Sequence, residues 1–220
     1  MPTRPTDQPM RERIVAAAIQ VIRERGVTRA TTKEIARAAK VSEGSLYNHF
    51  ENKTALFGAA FGAVTSGIRG AMLQVVASVG SGTVEGNLER LAGAAIRFYH
   101  ELLPMTGSAL ADHDVTAWLR RGMSDRGAGP TQDSGPTKAG GPLQGVAALA
   151  AYLEAERARG RLDRRADPPL LAAALLGAYL QHAFLSLLSE PAAMAGVGLP
   201  PDVDEYARGV VRTVLAGHLP

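Results

Sequence analysis

The chain has 220 residues, 46% of them hydrophobic, with 24 Lys and Arg against 21 Asp and Glu for a formal net charge of +3. That apolar share fills a core and excludes global disorder, and the length allows one or two domains. The absence of cysteine excludes disulfides, thiolate metal sites, cysteine nucleophiles and thiol redox chemistry, and makes a reducing cytoplasm the expected location.

The small total charge hides an uneven distribution. Through Lys53 the chain carries 10 Lys and Arg and 6 Asp and Glu, a net of +4, and the remaining 167 residues carry 14 and 15, a net of −1. A basic module joined to a nearly neutral body suggests that the first part meets a polyanion. The opening Met1 to Met10 holds three prolines and no apolar core, so it predicts a frayed tail and not a signal peptide. The longest uninterrupted apolar stretch, Leu170 to Leu180, has 11 residues against the ~18 to 20 of a membrane span, and no membrane partner is expected.

Helical periodicity runs through almost the whole chain. Ile14, Ala18, Val21 and Ile22 mark one face of a first helix over about 10–25, stopped by Gly26. Thr31 and Glu34 have the spacing of a capping box and open a short second helix burying Ile35, Ala36 and Ala39. Ser42 caps a third, in which Leu46 and Phe50 face inward and Tyr47 and Asn48 are turned outward. From Asn52 a long fourth helix carries the stripe Phe57, Phe61, Val64, Ile68, Met72, Val75 and Val79; Gly58, Gly62, Gly67 and Gly70 weaken it and imply close packing or bending. Further helices are predicted at about 84–103, 108–122, 143–160, 168–189 and 203–217, punctuated by Pro104, Pro168, Pro191 and Pro200-Pro201. Between them, 124–142 has five Gly and three Pro in nineteen residues and predicts a mobile loop. No stretch alternates with period two, so the predicted fold class is all-α.

Two short helices around a tight turn, the second with a polar exposed face, form a helix-turn-helix, which places its second helix in the major groove. The run Thr31-Thr32-Lys33-Glu34-Ile35-Ala36, then Val41-Ser42-Glu43-Gly44-Ser45-Leu46-Tyr47-Asn48-His49-Phe50, then Asn52-Lys53 with Leu56-Phe57, resembles the DNA-binding domain of the TetR family of bacterial transcriptional regulators over roughly 10–57. Physical reasons accompany the match. Thr31 and Thr32 present hydroxyls and free amides to a phosphate, and Lys33 reaches a base or phosphate. Ser42, Glu43, Gly44 and Ser45 form the mouth of the reading helix, where small side chains let backbone approach the groove. Tyr47 offers a hydroxyl to phosphate and a ring face to a thymine methyl, and Asn48 meets a base edge or water. By the resemblance, His49 and Lys53 clamp the DNA backbone beside Tyr47.

The resemblance implies a helix-turn-helix domain over 9–54, then a larger helical effector-binding and dimerisation domain over 55–220. It implies a homodimeric, ligand-responsive repressor on a palindromic operator, released by a small hydrophobic or amphipathic effector. Phe98, His100, Met105, Trp118, Tyr152, Tyr179 and His182 are candidate pocket residues, each also compatible with ordinary core, and Tyr99 and Phe184 share their aromatic character. The apolar runs of 168–189 and 203–217 match the family's dimer interface, a four-helix bundle built from two helices of each subunit. His100, Asp112, His113 and Asp114 lack metal-ligand spacing, so neither metal nor cofactor is expected. The arginines from Arg157 to Arg165 predict a solvated helix end. No catalytic signature stands out and the chain is not expected to be an enzyme; an effector-independent regulator or activator and, behind it, a helical interaction module or enzyme keeping the helix-turn-helix as scaffold are the other readings.

Overall fold

A computed structural model describes residues 10–110 and 142–219. Every regular element among them is a helix: α1 Met10–Arg25, α2 Thr32–Ala38, α3 Glu43–Tyr47, α4 Lys53–Ala77, α5 Val84–Leu110, α6 Pro142–Ala158, α7 Pro168–Leu188, α8 Pro191–Gly196 and α9 Val203–Leu215. The loop predicted over 124–142, up to its last residue, and the predicted helix at 108–122, beyond Leu110, lie outside the described residues. Described residues through Ser66, with those from Glu101 to Leu110, form one compact unit, and Gly67–His100 with residues from Pro142 onward form a second.

In the first unit, α1 buries Ile14, Val15, Ala17, Ala18, Val21 and Ile22 against α2. Gly26 ends it with φ 78°, its amide donating to the Ile22 carbonyl at 2.8 Å, which a glycine does without a Cβ penalty. At the start of α2 the predicted capping box is present in both directions: the Glu34 amide donates to Thr31 Oγ1 and the Thr31 amide to Glu34 Oε2. The turn after α2 places Lys40 at φ 55°, an uncommon conformation for a residue with a side chain. Arg13 reaches across to the Ala39 carbonyl at 3.3 Å. Leu46 and Phe50 are buried with Ile35, Ala36 and Ala39, so the inward faces of both short helices close one small core. Burying a side chain such as Leu46 or Ile35 contributes roughly 1.5–3 kcal/mol.

The second unit is built on longer apolar helices. α7 packs against both α6 and α9, burying Leu171, Ala172, Leu175, Leu176, Tyr179, His182 and Ala183. The Asp167 carboxylate caps its first turn by accepting from the Leu170 amide at 3.1 Å, and Pro168 occupies the position where a missing N–H costs nothing. At its other end α8 is a short extra helix that the sequence did not predict.

Four expectations are corrected. The predicted break at Pro104 is absent, because α5 continues through it to Leu110. A proline removes one helical bond, here to the His100 carbonyl, at about 3 kcal/mol; the buried Met105 and the Thr106 hydroxyl, which donates to Leu102 O at 2.9 Å, hold the following turn in place. The glycines of α4 do not serve close packing: a Cβ on Gly58, Gly62, Gly67 or Gly70 would meet nothing within 4 Å among the described residues. Two helices, Lys53–Ala77 and Pro168–Leu188, are long and apolar enough to cross a membrane, with mean hydropathies of 1.3 and 1.6, because isolated small or polar residues interrupt the apolar runs without lowering the average much. The buried side of Pro168–Leu188 is occupied by protein packing.

The fourth correction concerns Arg157 and Arg161, while Arg159, Arg164 and Arg165 are exposed as expected. Arg161 pairs with the fully buried Glu156 at 3.4 Å and also donates to the Gly82 carbonyl, while Arg157 donates to the Ala166 carbonyl at 2.9 Å. Glu156 accepts from the Gly80 amide at 3.1 Å, and the buried Asn87 donates to the Tyr152 hydroxyl and the Ser81 carbonyl, both at 2.9 Å. These contacts fasten the 78–83 turn to the end of α6. A buried carboxylate needs such partners, which is why Arg161 is drawn in from solvent.

Candidate nucleic-acid interface

The eleven residues predicted to meet DNA lie within one stretch, and its inward positions decide which side chains remain available. Leu46 is fully buried and Phe50 is 4% exposed, whereas Tyr47 between them is 46% exposed. The two inward anchors turn the intervening Tyr47 ring outward. Thr31, Lys33, Ser42, Glu43, Gly44, Asn48 and His49 are exposed, and Thr32, Ser45 and Lys53 half-exposed.

Several of these groups are held by local bonds. Ser42 Oγ accepts from the Ser45 amide at 3.0 Å and so caps α3. The Thr31 hydroxyl donates to Glu34 Oε2 at 2.9 Å, and these bonds, more than the neighbouring Arg25 and Arg37, keep the Glu34 carboxyl below its ordinary range. Asn52 Oδ1 caps α4 through the Ala55 amide at 2.8 Å, and Lys53 Nζ lies 5.0 Å from the centre of the Phe57 ring, fixing the root of that cation. Gly44 has a free approach: a Cβ there would come no nearer than 3.9 Å, to Ser42 Oγ. Nothing in the fold around Gly44 therefore requires glycine.

One contact chain was not predicted. Tyr47 Oη donates to Thr32 Oγ1 at 3.4 Å, and Thr32 Oγ1 donates to Glu43 Oε1 at 2.6 Å. It joins the end of α3 to the start of α2 and back to the start of α3. Spacing along the sequence carries no signal for it, because Thr32 and Glu43 are brought together only by the turn between the helices.

Six of the seven predicted pocket residues lie among the described residues. Tyr152, Tyr179 and His182 are buried in the second unit, Phe98 and His100 are half-buried there, and Met105 is buried in the first. Trp118 lies outside the described residues, as do Asp112, His113 and Asp114. Phe184 is 49% exposed. Tyr152 belongs to the Asn87 and Glu156 cluster, and burial pushes its hydroxyl up to about 12. Burial also pushes Tyr179 up, and its hydroxyl has no hydrogen-bond partner among the described residues. The His182 ring lies 4.5 Å from that of Tyr206 between centres, tilted by 47°; burial lowers its pKa and His100 adds to this, with the Pro200 and Pro201 carbonyls and Asp202 opposing. A cleft of about 370 Å³ in this unit is lined by Glu85, Glu89, Arg208, Arg212, Leu215, Ala216, Gly217 and Leu219, none of them a predicted pocket residue.

Comparison with known proteins adds to this geometry. Residues 14–60 match the family described as bacterial regulatory proteins, tetR family. The HTH-type transcriptional regulator BetI of Escherichia coli is 32% identical over 83 residues, 38% of this chain and 43% of its own length. The chain thus spans about two fifths of the curated relatives it matches. Among solved structures, a TetR transcriptional regulator from Chloroflexus aurantiacus aligns with a TM-score of 0.64 at 19% identity, over 96% of this chain and 97% of that one. SmeT, the repressor of the Stenotrophomonas maltophilia multidrug efflux pump SmeDEF, aligns with a TM-score of 0.58 at 19% identity, over 99% and 93%. These likenesses establish the fold along the chain, and the match at 14–60 makes the N-terminal helix-turn-helix a tetR-family domain.

Proposed function

We infer, from the tetR-family domain at residues 14–60, that this protein is a transcriptional regulator, acting as a repressor, whose homodimer binds a palindromic operator and is released by a small hydrophobic or amphipathic molecule. The observation that carries the reading is the outward Tyr47 between the buried Leu46 and Phe50, in a stretch where Lys33, Asn48 and His49 are exposed and Lys53 is half-exposed. Such a face supplies cations and hydroxyls to phosphates, which fix register, and small residues, Gly44 and Ser45, where backbone approaches base edges. The free space around Gly44 fits this role, since the constraint on the position then comes from outside the chain.

Dimerisation through α7 and α9 is supported by the unburied face of α7. Leu170, Leu180, Phe184, Leu187 and Leu188 are all exposed, opposite the buried stripe of the same helix. A two-fold axis pairing such faces would hold two reading helices about 34–36 Å apart, one turn of DNA. Effector binding would favour a conformer in which that spacing is lost. A regulator that answers no small molecule is the second reading, supported by the burial of Tyr152, Tyr179 and His182, none of which lines the cleft described above. A thermal-shift screen separates the two, since a ligand of the folded state raises its Tm.

Enrichment of a random duplex pool on the full-length protein tests the DNA reading. It should yield an inverted repeat, and the combined Tyr47→Ala and Lys53→Ala change should abolish binding while leaving Tm near that of the parent. Recovery of no preferred sequence, or full binding by the double variant, would overturn the reading.

A further inference from the structure

A carboxylate is an odd group to hold at the mouth of a helix that meets a polyanion. Glu43 is the first residue of α3 and is exposed, and it has no ion-pair partner among the described residues. Glu34, by contrast, is engaged with Thr31 and Arg25. The Glu43 carboxylate is also not free to swing: Thr32 Oγ1 donates to it at 2.6 Å, and Tyr47 Oη donates in turn to Thr32. The chain therefore holds an exposed carboxylate against Thr32, which Tyr47 also contacts, among residues proposed above to face DNA.

Two consequences follow from elementary electrostatics. Against any stretch of duplex, a fixed carboxylate repels phosphates and loses hydration without return, which weakens binding regardless of sequence. Every base pair carries one amino group on its major-groove edge, cytosine N4 or adenine N6, and only where the sequence puts that group within reach of Glu43 does the carboxylate accept a hydrogen bond and recover the loss. We propose that Glu43, positioned by Thr32, is a specificity-determining residue of the reading head, suppressing attachment to DNA in general and admitting sites that present an amino donor opposite it. The proposal rests on the DNA-binding reading above and deepens it.

The test uses the full-length protein, Glu43→Gln and Glu43→Asp, each titrated against the duplex that the parent selects from a random pool and against a shuffled duplex of the same composition, with Tm recorded for all three. Glu43→Gln removes the charge and keeps an acceptor for Thr32. It should tighten binding to the shuffled duplex by roughly three- to tenfold and leave the selected duplex no tighter, so the specificity ratio falls by about that factor. Glu43→Asp retains the charge and should keep binding to the shuffled duplex at the parent level. Equal tightening on both duplexes by Glu43→Gln, or unchanged binding to the shuffled duplex, would overturn the role of Glu43 while leaving DNA recognition standing. A parent that prefers no duplex overturns the regulator reading, and this proposal with it.

Discussion

The helix-turn-helix and the second unit solve opposite problems. The first is made of a 7-residue and a 5-residue helix beside α1, too short to be stable by themselves, and is held by caps at Thr31, Ser42 and Asn52 and a few buried anchors. Its outward residues are left for a partner. The second consists of longer helices, also capped at Thr83, Asp167 and Asp202 but buried along larger apolar faces, and the side chains of Asn87, Tyr152, Glu156 and Arg161 fasten one turn. Where a region is small, position alone separates structural residues from functional ones, and where it is large and apolar the same residue types serve both purposes.

The comparison can be broken most forcefully at an anchor. Leu46→Ala removes a fully buried side chain from the small core and should cost about 3 kcal/mol, abolishing DNA binding while the second unit keeps its own unfolding transition, as followed by circular dichroism and hydrogen exchange. Glu156→Ala should cost about 2 kcal/mol by leaving the Gly80 amide and Arg161 without their buried partner, and exchange at 78–83 should accelerate; normal protection there would mean that the cluster fastens nothing.

Acid should act on the second unit through His182. Its folded pKa lies below the unfolded value, so the neutral ring's contribution is fully present above about pH 6.5 and is lost as pH falls through the folded pKa. Melting curves between pH 7 and 5 should show a declining Tm, with a shallower decline in His182→Phe; parallel declines would assign the effect to other groups. The smallest change is Gly62→Ala. With open space around it, the new methyl should stabilise the first unit by roughly 0.5–1 kcal/mol through helix propensity alone.

Much of the first unit was legible in the sequence because its signals are local. The capping box at Thr31 and Glu34, the stop at Gly26, and Leu46 and Phe50 four residues apart are set by neighbours along the chain, and the geometry agrees with each. The contacts from Tyr47 to Thr32 to Glu43 were not legible, because the turn that joins them is a tertiary fact. Elsewhere in the first unit Pro104 reads locally as a helix end, yet buried packing at Met105 outweighs one lost bond. The arginines after Arg157 read as solvated because nothing nearby in sequence shows that Glu156 is buried and needs a cation. The bond between Tyr152 and Asn87, 65 positions away, likewise carries no local signal.

The central claim is that the +4 charge through Lys53, and not the nearly neutral remainder, meets DNA. The salt dependence of binding tests it most directly, since each phosphate neutralised by a cation adds about 0.9 to the slope of log K against log salt. The account predicts a slope of several units for the full-length protein, falling by about 1 in Lys53→Ala and unchanged in Arg208→Ala on α9. A slope near zero, or one that follows Arg208 and not Lys53, would contradict it.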